Sequence, residues 1–435
     1  MVVKVLYDIA ILGLGKARES SRAGIYRVVE SVAEQLILNQ DCRIQFCATY
    51  NSIAHRDSIE LVQQKKEFSK VSFSKPPATL RTEANIKRLK LIDHLEQTKV
   101  SVLKKIPIKI QIRSLWLKEQ LYSSPASEDY LINQKDLAST DIFHSPFLPI
   151  PEQVIKSNKK SIFLTCYDLI PLLHPQYSGD SIKEVIRNVL NSINKNTWVL
   201  CISNATRNDL LNYTGSKLDP DKVIVTELAA SGSFYQSTDK EINKNVRKLY
   251  GIPEAPYGLS VCTLEPRKNI DQAIRAFVKI VREEKISDLN LVLVGAEGWM
   301  FDKIFEEIEA SNLLKNRIVI TGFVANEHLA ALYTEALMFV YPSFYEGFGL
   351  PPLEAMQCGT PVITSNTSSL PEVVGDAGIM ISPTELDELC EAMLSVYKSP
   401  FLREDLSRRS LERAKKFSWE RCAQETVDAY KLSLS

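Results

Sequence analysis

Short apolar runs rich in β-branched residues alternate with amphipathic stretches along most of the chain. The runs predict strands in two series, one at 3–12, 43–48, 141–144, 161–166, 198–202 and 222–227, the other at 257–263, 290–294, 317–320, 338–341, 361–364 and 378–381. A helix is predicted over 22–38, because one face carries Ile25, Val28, Val29, Val32 and Leu36. The alternation indicates an α/β fold of two Rossmann-like, doubly wound parallel sheets that face each other across a ligand-binding cleft.

A polar stretch with few large apolar residues, 235–245, separates the two series and predicts the linker between domains. We therefore expect an N-terminal domain at 1–235, a C-terminal domain at 236–417 and a last helix at 418–435. An apolar stripe runs along this last helix, formed by Trp419, Ala423, Val427 and Tyr430.

Composition narrows the functional classes. The 435 residues are 45% hydrophobic and 24% charged, which is typical of a globular enzyme and excludes disordered, collagen-like and membrane-spanning chains. Lys plus Arg (53) balances Asp plus Glu (53), so there is no global electrostatic case for binding nucleic acid. The eight cysteines include no C-x-x-C pair, and the apolar segment 1–15 contains Asp8 without a signal-peptide cleavage site. These features predict a cytoplasmic protein with reduced thiols.

The strongest local signal is the segment 345–355, Tyr-Glu-Gly-Phe-Gly-Leu-Pro-Pro-Leu-Glu-Ala, which follows a predicted strand. Gly347 and Gly349 permit a tight turn, and the two prolines suit the first turn of a helix. The N–H groups of Phe348, Gly349 and Leu350 would then point outward with the positive end of the helix dipole. Such a helix start is an anion site, and we expect it to bind a phosphate or diphosphate.

Two carboxylates flank this turn, Glu346 before it and Glu354 within the helix. Both are able to accept hydrogen bonds from sugar hydroxyls; the alternative is a solvated Glu346 and a Glu354 that satisfies helix donors. A second signal is 263–269, Thr-Leu-Glu-Pro-Arg-Lys-Asn, where Arg267 and Lys268 end a strand. Adjacent cations there suit charge compensation of a diphosphate, and a solvated basic turn is the alternative.

These two segments, together with Cys-Gly-Thr-Pro-Val at 358–362 and Ser-Leu-Pro-Glu-Val at 369–373, resemble the retaining GT-B glycosyltransferases of family four. The likeness is greatest to bacterial mannosyltransferase-like members that build surface polysaccharides. It covers the second half of the chain almost continuously, from 255 to 430. The resemblance implies a GT-B fold, with an N-terminal acceptor-binding domain, a C-terminal nucleotide-sugar-binding domain and a last helix that packs back on the first domain.

The resemblance also implies roles for individual residues. Arg267 and Lys268 would hold the donor diphosphate, Glu346 would contact the transferred sugar, and Glu354 would bind the ribose hydroxyls. No metal or other cofactor is expected, since the cations and the helix N-terminus take its place. The residues expected at the donor are Gly13, Gly15, Thr263, Gly322, Phe323, Val324, Gly347, Phe348, Gly349, Leu350 and Glu354.

The first half resembles the family less closely. Family members usually have a His-Asp pair where this chain has Tyr167 and Asp168, so an imidazole is missing there, although Asp168 is still expected to orient the reacting sugar. The acceptor-side candidates are Gly24, His144 and Tyr167. A structural role for His144 is an alternative. The single D-x-D, 219–221, contains a proline and is interpreted as a turn and not as a metal site.

The sequence thus predicts a metal-independent, retaining hexosyltransferase that uses a GDP-linked hexose such as mannose, or else a UDP-sugar, and a glycan or lipid-linked acceptor. A nucleotide-sugar epimerase and a non-catalytic sugar-nucleotide-binding partner are the alternatives. Basic residues accumulate in 51–120, and 86–118 combines helical apolar spacing with Trp116. This stretch is either a peripheral contact with the anionic inner face of the membrane or an ordinary solvated helix.

Overall fold

The computed structural model describes residues 1–15, 24–74, 132–157, 159, 161–296, 298, 302–310 and 312–435. The predicted membrane-contact stretch, 86–118, lies outside the described residues. None of the described helices is both long enough and apolar enough to cross a bilayer.

The N-terminal sheet has six parallel strands in the order β2-β1-β3-β4-β5-β6. Its strands are β1 Val3–Asp8, β2 Cys42–Cys47, β3 Ile142–Ser145, β4 Ser161–Cys166, β5 Trp198–Cys201 and β6 Val223–Val225. Its helices are α1 Ala10–Gly15, α2 Ile25–Leu38, α3 Ser52–Gln64, α4 Gln134–Ser139, α5 Glu152–Ile155, α6 Ile170–Leu173, α7 Asp180–Asn191 and α8 Asn204–Thr214. The predicted strand 3–12 was too long, because the Asp8 carboxylate accepts the Ala10 N–H (2.9 Å) and starts α1.

The C-terminal sheet has six parallel strands in the order β12-β11-β10-β7-β8-β9. Its strands are β7 Tyr257–Val261, β8 Asn290–Val294, β9 Ile318–Gly322, β10 Met338–Tyr341, β11 Val362–Ser365 and β12 Ile379–Ile381. Its helices are α9 Lys240–Leu249, α10 Ile270–Glu283, α11 Asp302–Ala310, α12 Asn326–Glu335, α13 Leu350–Gln357, α14 Leu370–Val374, α15 Leu386–Lys398 and α16 Pro400–Ala414. The strand order reverses between β7 and β10, so the crevice that binds ligands in such sheets lies at their carboxyl ends.

The strands are buried on both faces, as in β8, where every residue is buried. The predicted linker is shorter than expected, because Asp239 accepts the N–H groups of Glu241 and Ile242 (both 3.0 Å) and starts α9.

The last helix, α17 (Trp419–Leu432), lies on the N-terminal sheet. Tyr430 is fully buried, and its hydroxyl lies 2.5 Å from Nδ1 of His144 in β3. Lys431 forms an ion pair with Asp41 (2.7 Å) beside β2. The chain therefore passes from one sheet to the other twice, first after β6 and again after α16.

Candidate active site

The turn before α13 has the geometry of an anion site. Gly349, with φ at 125°, directly precedes the helix, and the hydroxyl of Ser369 lies 2.9 Å from the carbonyl oxygen of Glu346 and 2.6 Å from that of Phe348. Within the described part of the protein, the N–H groups of Phe348, Gly349 and Leu350 donate no hydrogen bond. These donors and the positive end of the helix dipole are thus available to a ligand.

Arg267 and Lys268 converge on Glu346. They lie in a short 3₁₀ turn after β7, and both nitrogens, Arg267 Nη1 and Lys268 Nζ, are 2.7 Å from an oxygen of the Glu346 carboxylate. Lys268 is 9% exposed and Glu346 is 8% exposed. Burial alone would raise the pKa of Glu346, but the two cations outweigh it and lower that pKa to about 2. Glu346 is therefore ionised at neutral pH.

Two hydroxyls that the sequence did not single out complete the shell around Glu346. Those of Ser343 and Tyr341 donate to Oε1 of Glu346 at 2.7 Å and 2.9 Å. Lys268 also contacts the Tyr341 hydroxyl, at 2.6 Å. Tyr341 ends β10 and Ser343 follows it. Their place at a strand end was the one feature of the sequence that could have indicated a role in the site. The carboxylate is held in one orientation by four side chains.

Glu354 has different surroundings. It is 5% exposed, its Oε1 lies 2.8 Å from Nη2 of Arg27 in α2, and its Oε2 accepts the hydroxyl of Tyr333 at 3.1 Å. Burial raises its pKa, against the opposing effect of Arg27. The sequence alone did not indicate a functional role for Arg27.

The loop after β4 faces the turn from the N-terminal side of the cleft. A Cβ at Gly347 would lie 2.5 Å from the carbonyl oxygen of Tyr167 and 3.0 Å from Cβ of Asp168, so only glycine fits there. Burial raises the pKa of Asp168 above its ordinary value, and the nearby cations Arg267 and Lys268 oppose this rise. The carboxylate therefore lies within the electrostatic field of those cations. Asp168 thus lies opposite the cluster at Glu346.

The loops at the carboxyl ends of β7 and β9 contain the other predicted donor residues. Thr263 is exposed just after β7. Gly322 ends β9 with φ at 70°, Phe323 is 73% exposed, and Val324 is buried. These residues are at the same edge of the sheet as Arg267.

Several predicted residues are not open to the cleft. His144 is buried in the core: its ring nitrogens lie within hydrogen-bond distance of Tyr430 and of Thr165 (2.9 Å), and burial lowers its pKa to about 3. Its position therefore does not support an acceptor-side role. The Tyr167 ring is also buried, edge-on to Phe147 at 5.9 Å, which leaves its backbone carbonyl as the group near the cleft.

Gly13 and Gly15, which were expected at the donor, lie within α1 and not in a loop. A Cβ at Gly13 would meet the carbonyl oxygen of Ala54 at 2.2 Å, and one at Gly15 would meet the Tyr26 ring at 2.4 Å. Close packing within the protein explains both glycines, so their positions do not support direct donor contact. Gly24, with φ at 55°, precedes α2 and leads the chain to Arg27.

A known relative decides the family. The chain is 35% identical over 298 residues to O-antigen chain mannosyltransferase B of Escherichia coli, covering 67% of this chain and 74% of the relative. The family model for glycosyl transferases group 1 matches residues 242–413. The chain belongs to the group 1 glycosyltransferases.

Other comparisons agree with this membership. This group 1 glycosyltransferase is 30% identical over 268 residues to the serotype-specific mannosyltransferase WbdA of Escherichia coli, matching 61% of the chain but 32% of WbdA. Sucrose-phosphate synthase from Thermosynechococcus elongatus superimposes with a TM-score of 0.65 at 18% identity, over 99% of both chains. Anabaena HepE in complex with UDP and glucose superimposes with a TM-score of 0.61 at 15% identity, over 100% of both chains. The expected GT-B fold is confirmed.

Proposed function

We propose that this glycosyltransferase moves a hexose from a nucleotide-diphosphate sugar to a hydroxyl of a glycan or lipid-linked acceptor in surface polysaccharide synthesis, with retention of anomeric configuration. GDP-mannose is the first candidate donor, because the O-antigen relative is named a mannosyltransferase. A UDP-sugar is the second.

The proposal rests on two cations that bind Glu346, directly before the turn whose N–H groups begin α13. Arg267 and Lys268 follow β7, and at the start of α13 the N–H groups of Phe348, Gly349 and Leu350 have no partner among the described residues. A diphosphate bound between them would receive charge-assisted hydrogen bonds from one side and the helix dipole from the other. Both groups would stabilise the negative charge that develops as the nucleotide leaves, and we propose that no metal ion is required.

Glu346 would contact the transferred sugar. Its carboxylate is ionised and fixed by four side chains, so it accepts hydroxyl hydrogen bonds without having to reorganise. Glu354, deeper along α13, would bind the ribose hydroxyls. The two carboxylates would thereby fix the two ends of the donor.

Retention follows if the acceptor attacks the face from which the nucleotide departs. The anomeric carbon–oxygen bond breaks, the acceptor oxygen forms the new bond, and the departing diphosphate oxygen takes the acceptor proton. Asp168 and the Tyr167 carbonyl, opposite Glu346, would orient the reacting sugar. Closure of the cleft would exclude water and so suppress hydrolysis of the donor.

The test is to incubate purified protein with GDP-mannose, UDP-glucose and UDP-N-acetylglucosamine, each with an isolated O-antigen-type glycan as acceptor. Released nucleotide diphosphate and the proton–carbon coupling of the new anomeric centre are then measured. We expect turnover with one donor and an α-linkage from an α-donor. A β-linkage would contradict retention, an epimerised free donor would favour the epimerase, and binding of every donor without turnover would favour a non-catalytic role.

We propose a cytoplasmic site of action, in peripheral contact with the inner face of the membrane through 86–118. The accumulation of basic residues in this part of the sequence is what supports the contact.

A further inference from the structure

A closed ring of four side chains lies where the two domains meet. The Arg27 guanidinium is 2.8 Å from Glu354 and lies over the ring of Phe234, 5.7 Å from its centroid. Phe234 packs edge-on against Tyr333, with centroids 5.9 Å apart, and the Tyr333 hydroxyl donates to the other oxygen of Glu354. Each residue thus contacts two others of the ring.

The four residues come from four separate parts of the chain. Arg27 belongs to α2 of the N-terminal domain, and Phe234 to the segment that crosses between the domains. Tyr333 and Glu354 belong to α12 and α13 of the C-terminal domain. Within the ring, the ion pair between Arg27 and Glu354 is therefore the contact that joins the N-terminal domain directly to α13. It forms only while the two domains are close together.

We propose that Arg27 is a positioning residue, which keeps the Glu354 carboxylate charged and oriented for the nucleotide and so couples nucleotide binding to closure of the cleft. This inference rests on the proposed function, in which Glu354 binds the ribose. A carboxylate needs both a fixed direction and a negative charge to accept two neighbouring hydroxyls strongly.

Among the residues that the structure describes, few neighbours affect the charge on Glu354. These titratable groups are Arg27, Tyr333 and Cys358, and Arg27 is the one cation of this described set. Burial raises the pKa of Glu354 and Arg27 lowers it, so loss of Arg27 would raise it further. Tyr333 is a neutral donor, and its hydrogen bond also lowers the pKa of Glu354, but less than Arg27 does. The two partners therefore differ in how strongly they keep the carboxylate charged.

The experiment measures the Kd of GDP and of UDP by calorimetry between pH 6 and pH 9. Arg27→Met keeps an unbranched side chain over Phe234 but removes the charge, and Arg27→Lys restores the charge. Tyr333→Phe removes the hydroxyl only. Arg43→Met, an exposed cation on β2, is the matched control. Thermal unfolding is recorded for each variant to confirm that it is folded at the assay temperature.

For Arg27→Met we expect nucleotide binding about 10- to 100-fold weaker at pH 6, as when a charged hydrogen-bond partner is removed. The deficit should shrink as the pH rises, because Glu354 then loses its proton without help. Arg27→Lys should recover most of the affinity, Tyr333→Phe should weaken binding with a smaller dependence on pH than Arg27→Met, and Arg43→Met should match the wild type.

Equal weakening by Arg27→Met at all pH values would overturn the inference in favour of a purely structural contact. Tighter binding would overturn it too, since Arg27 would then compete with the ribose. If the wild type binds nucleotide and Arg27→Met binds equally well, this inference alone fails. If the wild type binds neither nucleotide, the proposed function itself fails, and the inference with it.

Discussion

The carboxylate of Glu372 accepts a 2.7 Å hydrogen bond from the backbone N–H of Ala205, although the two residues belong to different domains. Its other oxygen accepts the N–H of Asn204, also at 2.7 Å. An acid from α14 thus caps the start of α8. Nearby, the hydroxyl of Tyr345 donates to Asp209 at 2.7 Å. Specific polar contacts, and not only apolar burial, hold the cleft closed.

Glu372→Ala should favour an open cleft, since it removes the carboxylate from the start of α8. The loss of a helix cap costs about 0.5–2 kcal/mol. We expect a larger radius of gyration by small-angle X-ray scattering. Glu388→Ala is the control, because Glu388 accepts the N–H of Ser382 within one domain. Equal radii for both variants and the wild type would contradict the prediction.

Lys268→Ala and Arg267→Ala should each lower turnover by about 100- to 1000-fold, as expected for loss of a transition-state donor. Both should also lower stability, because Glu346 is buried and ionised; losing one partner of a buried pair costs about 3–5 kcal/mol. Initial rates at a temperature where each variant is folded separate the two effects. Arg275→Ala, which removes a half-exposed cation of α10, should leave turnover unchanged. Near-normal rates in both cleft variants would refute the assignment.

The two carboxylates of α13 and its preceding turn should respond differently to neutralisation. Glu354→Gln should weaken binding of a free nucleotide diphosphate, whereas Glu346→Gln should bind it at least as tightly, because Arg267 and Lys268 are released from their present partner. Glu346→Gln should instead impair use of the intact donor. Calorimetry with the free nucleotide is the measurement, and equal losses would mean that the two roles are wrongly assigned.

His144 should make the protein less stable in acid. The folded protein leaves its ring neutral down to about pH 3, whereas the unfolded chain is protonated below its ordinary pKa of about 6.5. Between these values the unfolded state binds more protons, so the free energy of unfolding falls on acidification, by about 1.4 kcal/mol per pH unit from this group. The free energy of unfolding in urea, measured at pH 5, 6 and 7, should depend less on pH in His144→Gln than in the wild type. An unchanged dependence in His144→Gln would show that another group is responsible.

Binding to anionic liposomes should fall steeply with salt if 86–118 contacts the membrane, since screening weakens exposed charges. Co-sedimentation compares the wild type with a variant neutralised at Lys87, Arg88, Lys104 and Lys105. A variant neutralised at the exposed residues Lys240, Lys244 and Lys248 of α9 is the control. Weak binding by the wild type at low salt, or equal binding by all three proteins, would favour a soluble acceptor.

The strands could be predicted because a parallel sheet covered on both faces produces apolar runs, as in β8. Their ends were less predictable. The Asp8 carboxylate accepts a backbone N–H and starts a helix where the strand was predicted to continue. The Asp239 carboxylate accepts a backbone N–H in the same way and starts α9 within the predicted linker. Such caps depend on which carboxylate reaches which N–H, and an apolar pattern does not contain that information.

The site was predictable where its parts are local in sequence. Arg267 and Glu346 each follow a strand, and adjacent parallel strands end at the same edge of the sheet. The contact between Arg27 and Glu354 spans 327 residues and depends on domain closure, which no local pattern reveals. His144 also lies near the end of a strand, but α17 covers that place, so position along a strand did not distinguish cleft from core.

The return of α17 to the first sheet has a consequence for how the chain is made. Tyr430 and Val427 are buried in the same core as Val5 and Phe163, although more than half of the chain separates them in sequence. During translation the N-terminal domain thus remains incomplete until its last helix has left the ribosome. A fragment cut at residue 235 would expose the apolar surface that α17 covers, so the N-terminal domain is not expected to fold as a separately expressed unit.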